Sequence, residues 1–482
     1  MADTHGACIY EKATSIVAPI ESDSGIIVAI GTAPINLVEN PQEAVNTPVV
    51  CYSYAEAVKK LGYDSDFEKY TLCEVIDAAF RQFNICPIIC INVLDPSKHK
   101  ESIKDEVITV LKYKATIEKT GILPESVVVK NSTGTTYVKD LDYFLSFDDS
   151  GNLIIAINDE NDISKETSLK VSYDKLTPET INKNDIIGGF DVASGKYKGF
   201  ECISQIYPKL ALVPGQIIAP KWSKNPEVAA VMKAKTTNIS GLFKCICIAD
   251  IDSDAANTYD KCNEWKNNNS YVDENMVVCW AKAKIGEKIY NMSTIWAAVT
   301  VKTDSNYENI PYKSPSNENL PITALVNESG TNIYLDMNQA NLLNSQGICT
   351  AINLNGWKSW GNNTSIYPSN TDVKDRFIPV RRFFNWWGNN FILTYFQKVD
   401  NPMNIRLINS IVDSENAKAN GYKAKGIIAD AKIEYNEEEN PITDLLNGKI
   451  YFHQYLTPFP PAETITNTLE FDPSALKSAL AG

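Results

Sequence analysis

Histidine is nearly absent from this chain of 482 residues, which contains only His5, His99 and His453. Zinc sites usually include histidine, and Ser-His and Cys-His catalysis both need its imidazole ring. The scarcity therefore argues against most zinc enzymes and against hydrolases of the catalytic-triad type.

Long apolar runs are absent as well, since none reaches the roughly 18 to 20 residues that a membrane-spanning helix needs. Residues 1–20 lack the basic start and the apolar stretch that mark a signal peptide. We therefore expect no membrane insertion and no secretion signal. The eleven cysteines have mostly apolar neighbours, which predicts buried thiols in a reducing cytosol.

Positive charge is in deficit, with 45 lysines and arginines against 59 acidic residues and a formal net charge of −14. Nucleic-acid binding depends on cations that neutralise phosphates. The charge balance therefore predicts no nucleic-acid partner.

The strongest pattern in the sequence is an aromatic, amphipathic stretch at residues 376–420. The i, i+3, i+4, i+7 spacing of one buried helix face is formed by Val380, Phe383, Phe384, Trp387, Phe391, Ile392 and Tyr395. Asp400 or Asn401 is expected to cap a second helix, with Pro402 at its first position and an end near Gly421. The pair of helices predicts the core of a C-terminal domain, part of whose surface packs on another protein.

Strands and helices alternate on both sides of a region without helices. Buried strands are predicted at residues 24–32, 87–94, 216–219, 243–249 and 276–281, and helices at residues 53–61, 71–83, 225–236 and 336–343. Ser53 and Asn225 are the expected caps of two of these helices. Such alternation predicts a mainly parallel sheet with helices on its faces.

Between about residues 112 and 190, short strands and turns replace this alternation, which predicts a small inserted all-β domain. The polar residues 303–321 predict a long loop. Asp250, Asp252 and Asp254 begin a calcium-loop pattern, but Ala255 and Lys261 stand where that loop needs glycine and glutamate. No phosphate-binding glycine loop, dinucleotide motif or G-x-S-x-G elbow is present. We therefore expect no enzyme, no metal and no cofactor.

Four segments resemble contractile tail sheath proteins of myophages or phage-tail-like particles. Residues 72–96 resemble a helix and strand that end in V-L-D-P, residues 205–223 contain L-V-P-G-x-x-x-A-P, and residues 356–364 contain W-G-N-x-T. Val380-Arg381-Arg382 with its aromatic helix, and residues 456–471 with their Pro-x-Glu-x-Ile motif, resemble the C-terminal domain of that family. The segments occur in the same order and extend over nearly the whole chain.

The resemblance implies an α/β multidomain fold. A conserved α+β inner domain would be built from both chain ends, with an inserted small all-β domain and a subtilisin-like α/β domain without catalytic residues. The implied function is that of a structural subunit. It would polymerise as helically stacked hexameric rings around an inner tube and contract to drive the tube through the target cell envelope.

The partners that the resemblance implies are further copies of the chain, the inner tail tube protein, and baseplate and tail-terminator proteins. The implied location is a virion tail or phage-tail-like particle that is assembled in the bacterial cytoplasm. The predicted division has an N-terminal arm (1–20), a first half of the inner domain (21–111), an inserted β domain (112–190), a subtilisin-like domain (191–352), a C-terminal tube-facing domain (353–460) and a C-terminal arm (461–482). We expect residues 24–94 and 347–471 to pack as one domain.

Both chain ends contain short apolar patterns that cannot bury two faces within one subunit. The residues predicted to form these inter-subunit arms are Ser15, Ile16, Val17, Ile20, Thr464, Ile465, Leu469 and Phe471. Residues 426–435 and 448–456 are predicted to form a hairpin with open edges, and open edges invite pairing. We therefore expect a four-stranded sheet made from the hairpin of one subunit, the N-terminal arm of a second and the C-terminal arm of a third.

A basic group contrasts with the acidic remainder of the chain: Arg381, Arg382, Lys418, Lys423 and Lys425. We predict that some of them face an acidic tube surface, the alternatives being solvated helix faces and internal ion pairs. Another self-assembling tail, tube or baseplate component is the alternative function, and it should lack the middle α/β domain. A hydrolase, or a carbohydrate-binding β domain using Tyr137, Tyr143 and Phe147, is a further alternative, although these aromatics are expected in a core.

Overall fold

The computed structural model describes residues 20–21, 24–148 and 150–480. The chain divides into two compact units, one up to Ile411 and one from Val412 onward. Among the helices of the described residues, none combines the length and the apolar character that a membrane crossing requires.

An eight-stranded sheet forms the core of the first unit. Its strands in spatial order are Trp357–Trp360, Ile348–Asn353, Met276–Cys279, Ile246–Asp250, Gln216–Ile218, Ile27–Gly31, Ile88–Asn92 and Pro48–Cys51. The six inner strands pair in parallel, and each edge strand is antiparallel to its neighbour. The inner strands are apolar and almost completely buried, as expected of parallel strands that are covered on both faces.

This sheet combines segments that the sequence pattern assigns to different domains. Ile27–Gly31 lies within residues 21–111, yet it pairs in parallel with Gln216–Ile218, from residues 191–352. The predicted separation of these two ranges is therefore wrong for the sheet. Parallel pairing between distant segments leaves no local trace in a sequence, because hydrophobic runs show burial but not the neighbouring strand. Residues 24–94 and 347–471 are predicted to pack as one domain. The sheet contains strands from both ranges, and the last of these strands along the chain is Trp357–Trp360.

Among the described residues, ten helices lie wholly within the first unit: Tyr54–Leu61, Thr71–Asp77, Lys183–Ile187, Ile206–Leu210, Pro226–Ala234, Cys262–Asn268, Met292–Asn306, Met337–Ser345, Val373–Arg376 and Ile378–Tyr395. Thr71–Asp77 continues as the π-helical turn Ala78–Phe83. The caps predicted at Ser53 and Asn225 are confirmed, because each side chain accepts a hydrogen bond from a backbone N–H of the first helical turn. Met292–Asn306 is buried over most of its length. It extends into the range predicted as a loop, so that loop begins later than expected.

A six-stranded antiparallel sheet lies between residues 100 and 176. Its strands in spatial order are Val128–Lys130, Ser168–Leu176, Lys100–Leu111, Lys114–Ile117, Leu153–Ile157 and Tyr143–Phe147. The sheet has its own apolar core, which includes Val129, Tyr143 and Ile155. The sequence pattern places the start of this region at residue 112 and misses Lys100–Leu111. That strand is charged and mostly exposed, so its alternation is weak.

The described part of the first unit also contains three smaller sheets. One has four strands in the order Lys288–Tyr290, Lys282–Ile285, Ala324–Val326 and Asn332–Ile333. A hairpin joins Gly189–Asp191 to Lys196–Lys198. The short strand Ile20–Glu21 pairs in parallel with Ile85–Cys86.

The aromatic helix predicted from the sequence is confirmed as Ile378–Tyr395, which buries Val380, Phe383, Trp387 and Tyr395. Its remaining predicted core positions are half-buried. A 3₁₀ turn, Phe396–Lys398, follows the end of the helix.

The second predicted helix is Ile405–Ala424, and the boundary between the two units falls within it. It begins after the predicted caps Asp400 and Asn401. The side-chain oxygen of Asn404 accepts from the Leu407 N–H at 3.0 Å instead. Asp400 has a φ of 66°, whereas the residue that caps a helix N-terminus typically has an extended backbone.

The second unit contains the remainder of that helix and an antiparallel hairpin of Ile428–Glu434 and His453–Pro458. A 3₁₀ turn, Glu437–Glu439, and a short helix, Ile442–Leu446, connect the two strands. The described chain ends with the helix Pro473–Leu480. The predicted hairpin is therefore confirmed, with its second strand a few residues later than expected.

Candidate assembly surfaces

The hairpin of the second unit has two open edges. Ile428–Glu434 and His453–Pro458 pair only with each other among the described strands. Ile428, Ala431 and Ile433 are buried on one face, so the register of the hairpin is fixed by its apolar side. The outer edge of Ile428–Glu434 is occupied at Ile433, whose N–H donates to Asn416 Oδ1 at 2.9 Å and whose carbonyl accepts from Asn416 Nδ2 at 3.0 Å. Elsewhere no described strand covers either outer edge, so further strands can pair there.

The C-terminal segment carries large apolar side chains that nothing in the second unit covers. Ile465, Leu469 and Phe471 are 90%, 88% and 75% exposed. The strand predicted at residues 464–471, including Thr464, is not formed in the single chain, where this segment has no regular secondary structure. A strand needs a partner edge, and an apolar segment that is this exposed has not found one within its own unit.

The N-terminal arm falls mainly outside the described residues, and Ser15, Ile16 and Val17 lie there. Ile20 is described as part of a strand, and it pairs in parallel with Ile85 of its own chain. Ile20 therefore has a strand partner in its own chain, and its assignment to an inter-subunit contact stays a prediction.

Arg382 belongs to the interior of the first unit. Its side chain is 3% exposed, Nη1 donates to Asp304 Oδ1 at 2.9 Å, and Nη2 donates to Asp304 Oδ2. Ser24 Oγ also donates to Asp304 Oδ2, at 2.6 Å. A guanidinium in this position has no surface to offer a second protein, so Arg382 is an internal ion pair.

The other basic candidates differ in exposure. Arg381 is mostly buried and pairs with Asp375 at 3.2 Å, and burial lowers the pKa of its guanidinium. In the second unit, Lys418 is half-buried, whereas Lys423 and Lys425 are exposed. The two exposed lysines remain the best-placed candidates for contact with another protein.

The first carboxylate of the calcium-loop pattern is part of a buried hydrogen-bond network. Asp250 is buried, where its carboxylate accepts from Ser223 Oγ at 3.0 Å and from the Ser293 N–H at 2.8 Å. Burial raises the pKa of the Asp250 carboxyl group. Within the described chain, no group of three or more His, Cys, Asp and Glu side chains has a geometry that could hold a metal ion. The described cysteines are all buried, and burial raises the pKa of Cys51 and Cys202 to about 12.

Comparison with known proteins identifies relatives of the chain. No protein-family profile matches the chain. The tail sheath protein of Burkholderia phage BcepMu is 26% identical over 502 aligned positions, which cover 99% of this chain and 98% of that protein. This chain is a relative of tail sheath proteins. The tail sheath protein of Escherichia phage P2 is 34% identical over a shorter stretch, which covers 29% of this chain and 32% of that protein.

The fold agrees with the sheath relationship. The chain superposes on a protein in the cryo-EM structure of an extracellular contractile injection system, the PVC sheath complex in its contracted state. The TM-score is 0.56 at 12% identity, with 98% of this chain and 99% of the other covered. The resemblance drawn from four sequence segments is therefore confirmed, and the fold is a multidomain α/β fold similar to that of sheath proteins.

Two sheath-like segments that are far apart in sequence meet in the first unit. Residues 211–215, from the L-V-P-G segment, and residues 382–393, from the aromatic helix, line one groove. Gly215 is required there by close backbone contact, since a Cβ atom at this position would lie 2.4 Å from the carbonyl oxygen of Ser24. The W-G-N segment contributes the edge strand Trp357–Trp360 of the large sheet.

A buried acidic group escaped the sequence analysis. Glu74 is 1% exposed, and its two carboxylate oxygens accept from the backbone N–H and the Nδ2 of Asn291, each at 2.7 Å. Burial raises the pKa of Glu74 to about 8. The signal was present, because an acidic residue stands among the apolar positions of the helix Thr71–Asp77. A hydrophobic pattern cannot, however, show that its hydrogen-bond partner is Asn291, which is distant in the chain.

Proposed function

We propose that this protein is the structural subunit of a contractile tail sheath. It polymerises as helically stacked hexameric rings around an inner tube, and it contracts to drive the tube through a target cell envelope. The observation that carries the proposal is similarity to a tail sheath protein over almost the entire length of both chains. The open edges of the hairpin supply a physical means of polymerisation.

The assembly contact is a four-stranded sheet built from three subunits. The hairpin comes from one subunit, a segment of residues 1–20 from a second, and residues 464–471 from a third. Each arm can form about four to six backbone hydrogen bonds, each worth about 1 kcal/mol net. A single contact of this size is weak, but its repetition through every subunit holds a cylinder together while the bodies of the subunits move.

The domain roles follow the same proposal. The parallel sheet with its helices corresponds to a subtilisin-like domain that has no catalytic function, which is supported by the lack of histidine in residues 200–350. The antiparallel sheet of residues 100–176 is the inserted all-β domain. The protein acts without a cofactor, and its role is mechanical rather than enzymatic.

The partners in this proposal are other copies of the chain, an inner tail tube protein, and baseplate and tail-terminator proteins. The place of action is a virion tail or a phage-tail-like particle, assembled in the bacterial cytoplasm. Neither nucleic acid nor a membrane-inserted state is part of the proposal. The negative net charge and the absence of long apolar runs support this view.

Truncation tests the proposal directly. Deleting residues 1–20, or every residue after Pro461, should leave a folded, soluble monomer with unchanged thermal melting of the middle domains. The full-length protein should form hollow cylinders in negative-stain micrographs, and neither truncated protein should form them. Normal cylinders from both truncated proteins would overturn the arm contact. A full-length protein that never forms cylinders, alone or with a tube protein, would overturn the sheath function.

The alternative is another self-assembling tail, tube or baseplate component. Such a component is expected to lack the middle α/β domain. Strands from the middle of this chain form part of the large parallel sheet, and this favours the sheath. Microscopy separates the two functions, because a tube protein would form narrow tubes and a baseplate component would form closed rings.

A further inference from the structure

The groove beside the aromatic helix is concave and largely apolar. It lies between Ile378–Tyr395 and residues 211–215, and it encloses about 240 Å³. Its apolar lining includes Leu212, Val213, Trp386 and Leu393, and Leu393 is 42% exposed at the rim. A groove of this kind on a helix face suits a short amphipathic helix from a partner.

A buried polar atom of one groove-lining residue lacks a donor. Asn385 is 5% exposed and lines the groove, and its Oδ1 has no hydrogen-bond partner among the described residues. Its Nδ2 is used, since it donates to the Cys245 carbonyl and to Asn275 Oδ1. A buried acceptor without a donor costs free energy, so the hydrogen bonding of this wall of the groove is incomplete in the single chain.

The helix Pro473–Leu480 has an apolar face that is not buried within its own unit. None of its residues is buried, and Leu476 and Leu480 are 50% and 79% exposed. The two leucines stand at i and i+4 and therefore share one face. An isolated helix shorter than about 12 to 15 residues is marginal in water, so this helix needs tertiary packing to be stable.

We propose that Leu476 and Leu480 of one copy insert into this groove of a second copy. The inference rests on the proposed function, because the C-terminal arm that lies on a neighbouring subunit directly precedes the helix. The contact would fasten the end of the arm by side-chain packing, whereas the arm itself is held by backbone hydrogen bonds.

Cysteine crosslinking between two different variants tests the contact in the assembled protein. Full-length L480C and full-length L393C are mixed, co-assembled and oxidised, so that a disulfide between the two positions joins different copies. We expect a covalent dimer in the mixture that exceeds the dimer in either variant alone by at least tenfold. A disulfide that forms only within a doubly substituted chain, and not in the mixture, would show that the helix returns to its own chain and would overturn the proposal.

Matched positions control for proximity in a crowded polymer. Leu354 is 57% exposed outside the groove, and Phe396 is 62% exposed on the turn after the aromatic helix. Mixtures of L480C with L354C or with F396C should crosslink no more than background. Preferential crosslinking to position 396 would place the helix on that turn instead and would contradict docking in the groove.

A peptide experiment keeps the inference separate from the proposed function. A fluorescent peptide of residues 464–480 is titrated against unassembled full-length protein, and its anisotropy is measured. The peptide with L476S and L480S should bind at least fivefold more weakly, and the L393D protein should weaken binding of the unsubstituted peptide to the same level. A peptide with K477A and unchanged leucines should lose less affinity. Equal binding of the leucine and serine peptides, in a protein that still forms cylinders, would refute the groove contact and leave the sheath function standing.

Discussion

Arg382 and Asp304 form a buried ion pair with two parallel hydrogen bonds, which joins the helix Ile378–Tyr395 to the helix Met292–Asn306. Both side chains are almost fully inaccessible to solvent. Removing one partner leaves an uncompensated charge in the interior. We expect R382M to lower the free energy of unfolding by about 3 to 5 kcal/mol, measured by urea denaturation.

A double-mutant cycle isolates this pair. D304N retains an acceptor for Ser24 while removing the charge, so R382M/D304N should be less destabilised than the sum of the single variants. The exposed pair of Lys423 and Asp430, at 3.0 Å, serves as the control. K423M should change stability by about 0 to 1 kcal/mol at most. Strict additivity for Arg382 and Asp304 would show that they do not stabilise each other.

Lys266 makes stability depend on pH in the alkaline range. It is buried and donates to the carbonyl oxygens of Gln346 and Tyr367, and burial lowers the pKa of its ammonium group to about 8. Between about pH 8 and 10.5 the unfolded chain holds this proton and the folded chain does not, so folding becomes more favourable as pH rises. The full effect is roughly 3 kcal/mol. The unfolding free energy of the wild type minus that of K266M should therefore rise as pH increases through that window. Parallel pH profiles of the two proteins would contradict the assignment.

His99 provides a second pH-dependent contribution, in the acidic range. It is buried, and burial lowers the pKa of its imidazole ring. Its Nδ1 accepts from the Asp95 N–H at 3.0 Å, so protonation of that nitrogen would break the bond. Because the unfolded chain binds the proton first, stability falls as pH drops below about 6.5. Proton NMR should show one imidazole that titrates below the usual range and disappears in H99Q, and a His99 signal that titrates at or above 6.5 would contradict this reasoning.

Three basic residues of the second unit predict a salt-dependent contact with the tube, two of them exposed (Lys423 and Lys425) and one half-buried (Lys418). Charge reversal at Lys418, Lys423 and Lys425 should weaken assembly templated by an acidic tube, mainly at low ionic strength, where screening is weak. Reversal of Lys104, Lys112 and Lys196, which are exposed in the first unit, is the matched control. Sedimentation of sheath with tube at 50 mM and 500 mM salt measures the effect. Equal loss in both triple variants, or no loss at low salt, would argue against a specific contact.

The local elements of the fold could be predicted from the sequence. The buried strands, the helix cap at Ser53 and the aromatic helix each leave a signal of hydrophobic period or cap chemistry within a few residues. The charged strand Lys100–Leu111 was missed because its side chains are mostly exposed, and the assignment of segments to one sheet required partners that are distant in the chain.

The assembly surfaces were predictable to a similar degree. The hairpin was located correctly, since both strands alternate in polarity. The basic group was identified by composition, but composition could not distinguish Arg382, which is paired inside the protein, from Lys425, which is exposed. The groove beside the aromatic helix could not be foreseen, because its walls come from segments more than a hundred residues apart.

The two open edges of the hairpin have a consequence for the length of the assembly. In the proposed three-subunit sheet, each chain would bring two docking positions and two segments that fill them, so every position would be filled in the interior of a long array. Subunits at a terminus would lack a neighbour, so docking positions or segments would stay unpaired there. Each terminus would therefore expose backbone hydrogen-bonding groups that another protein could cover. Any component that ends such an array must imitate either a vacant edge or a strand that fills it.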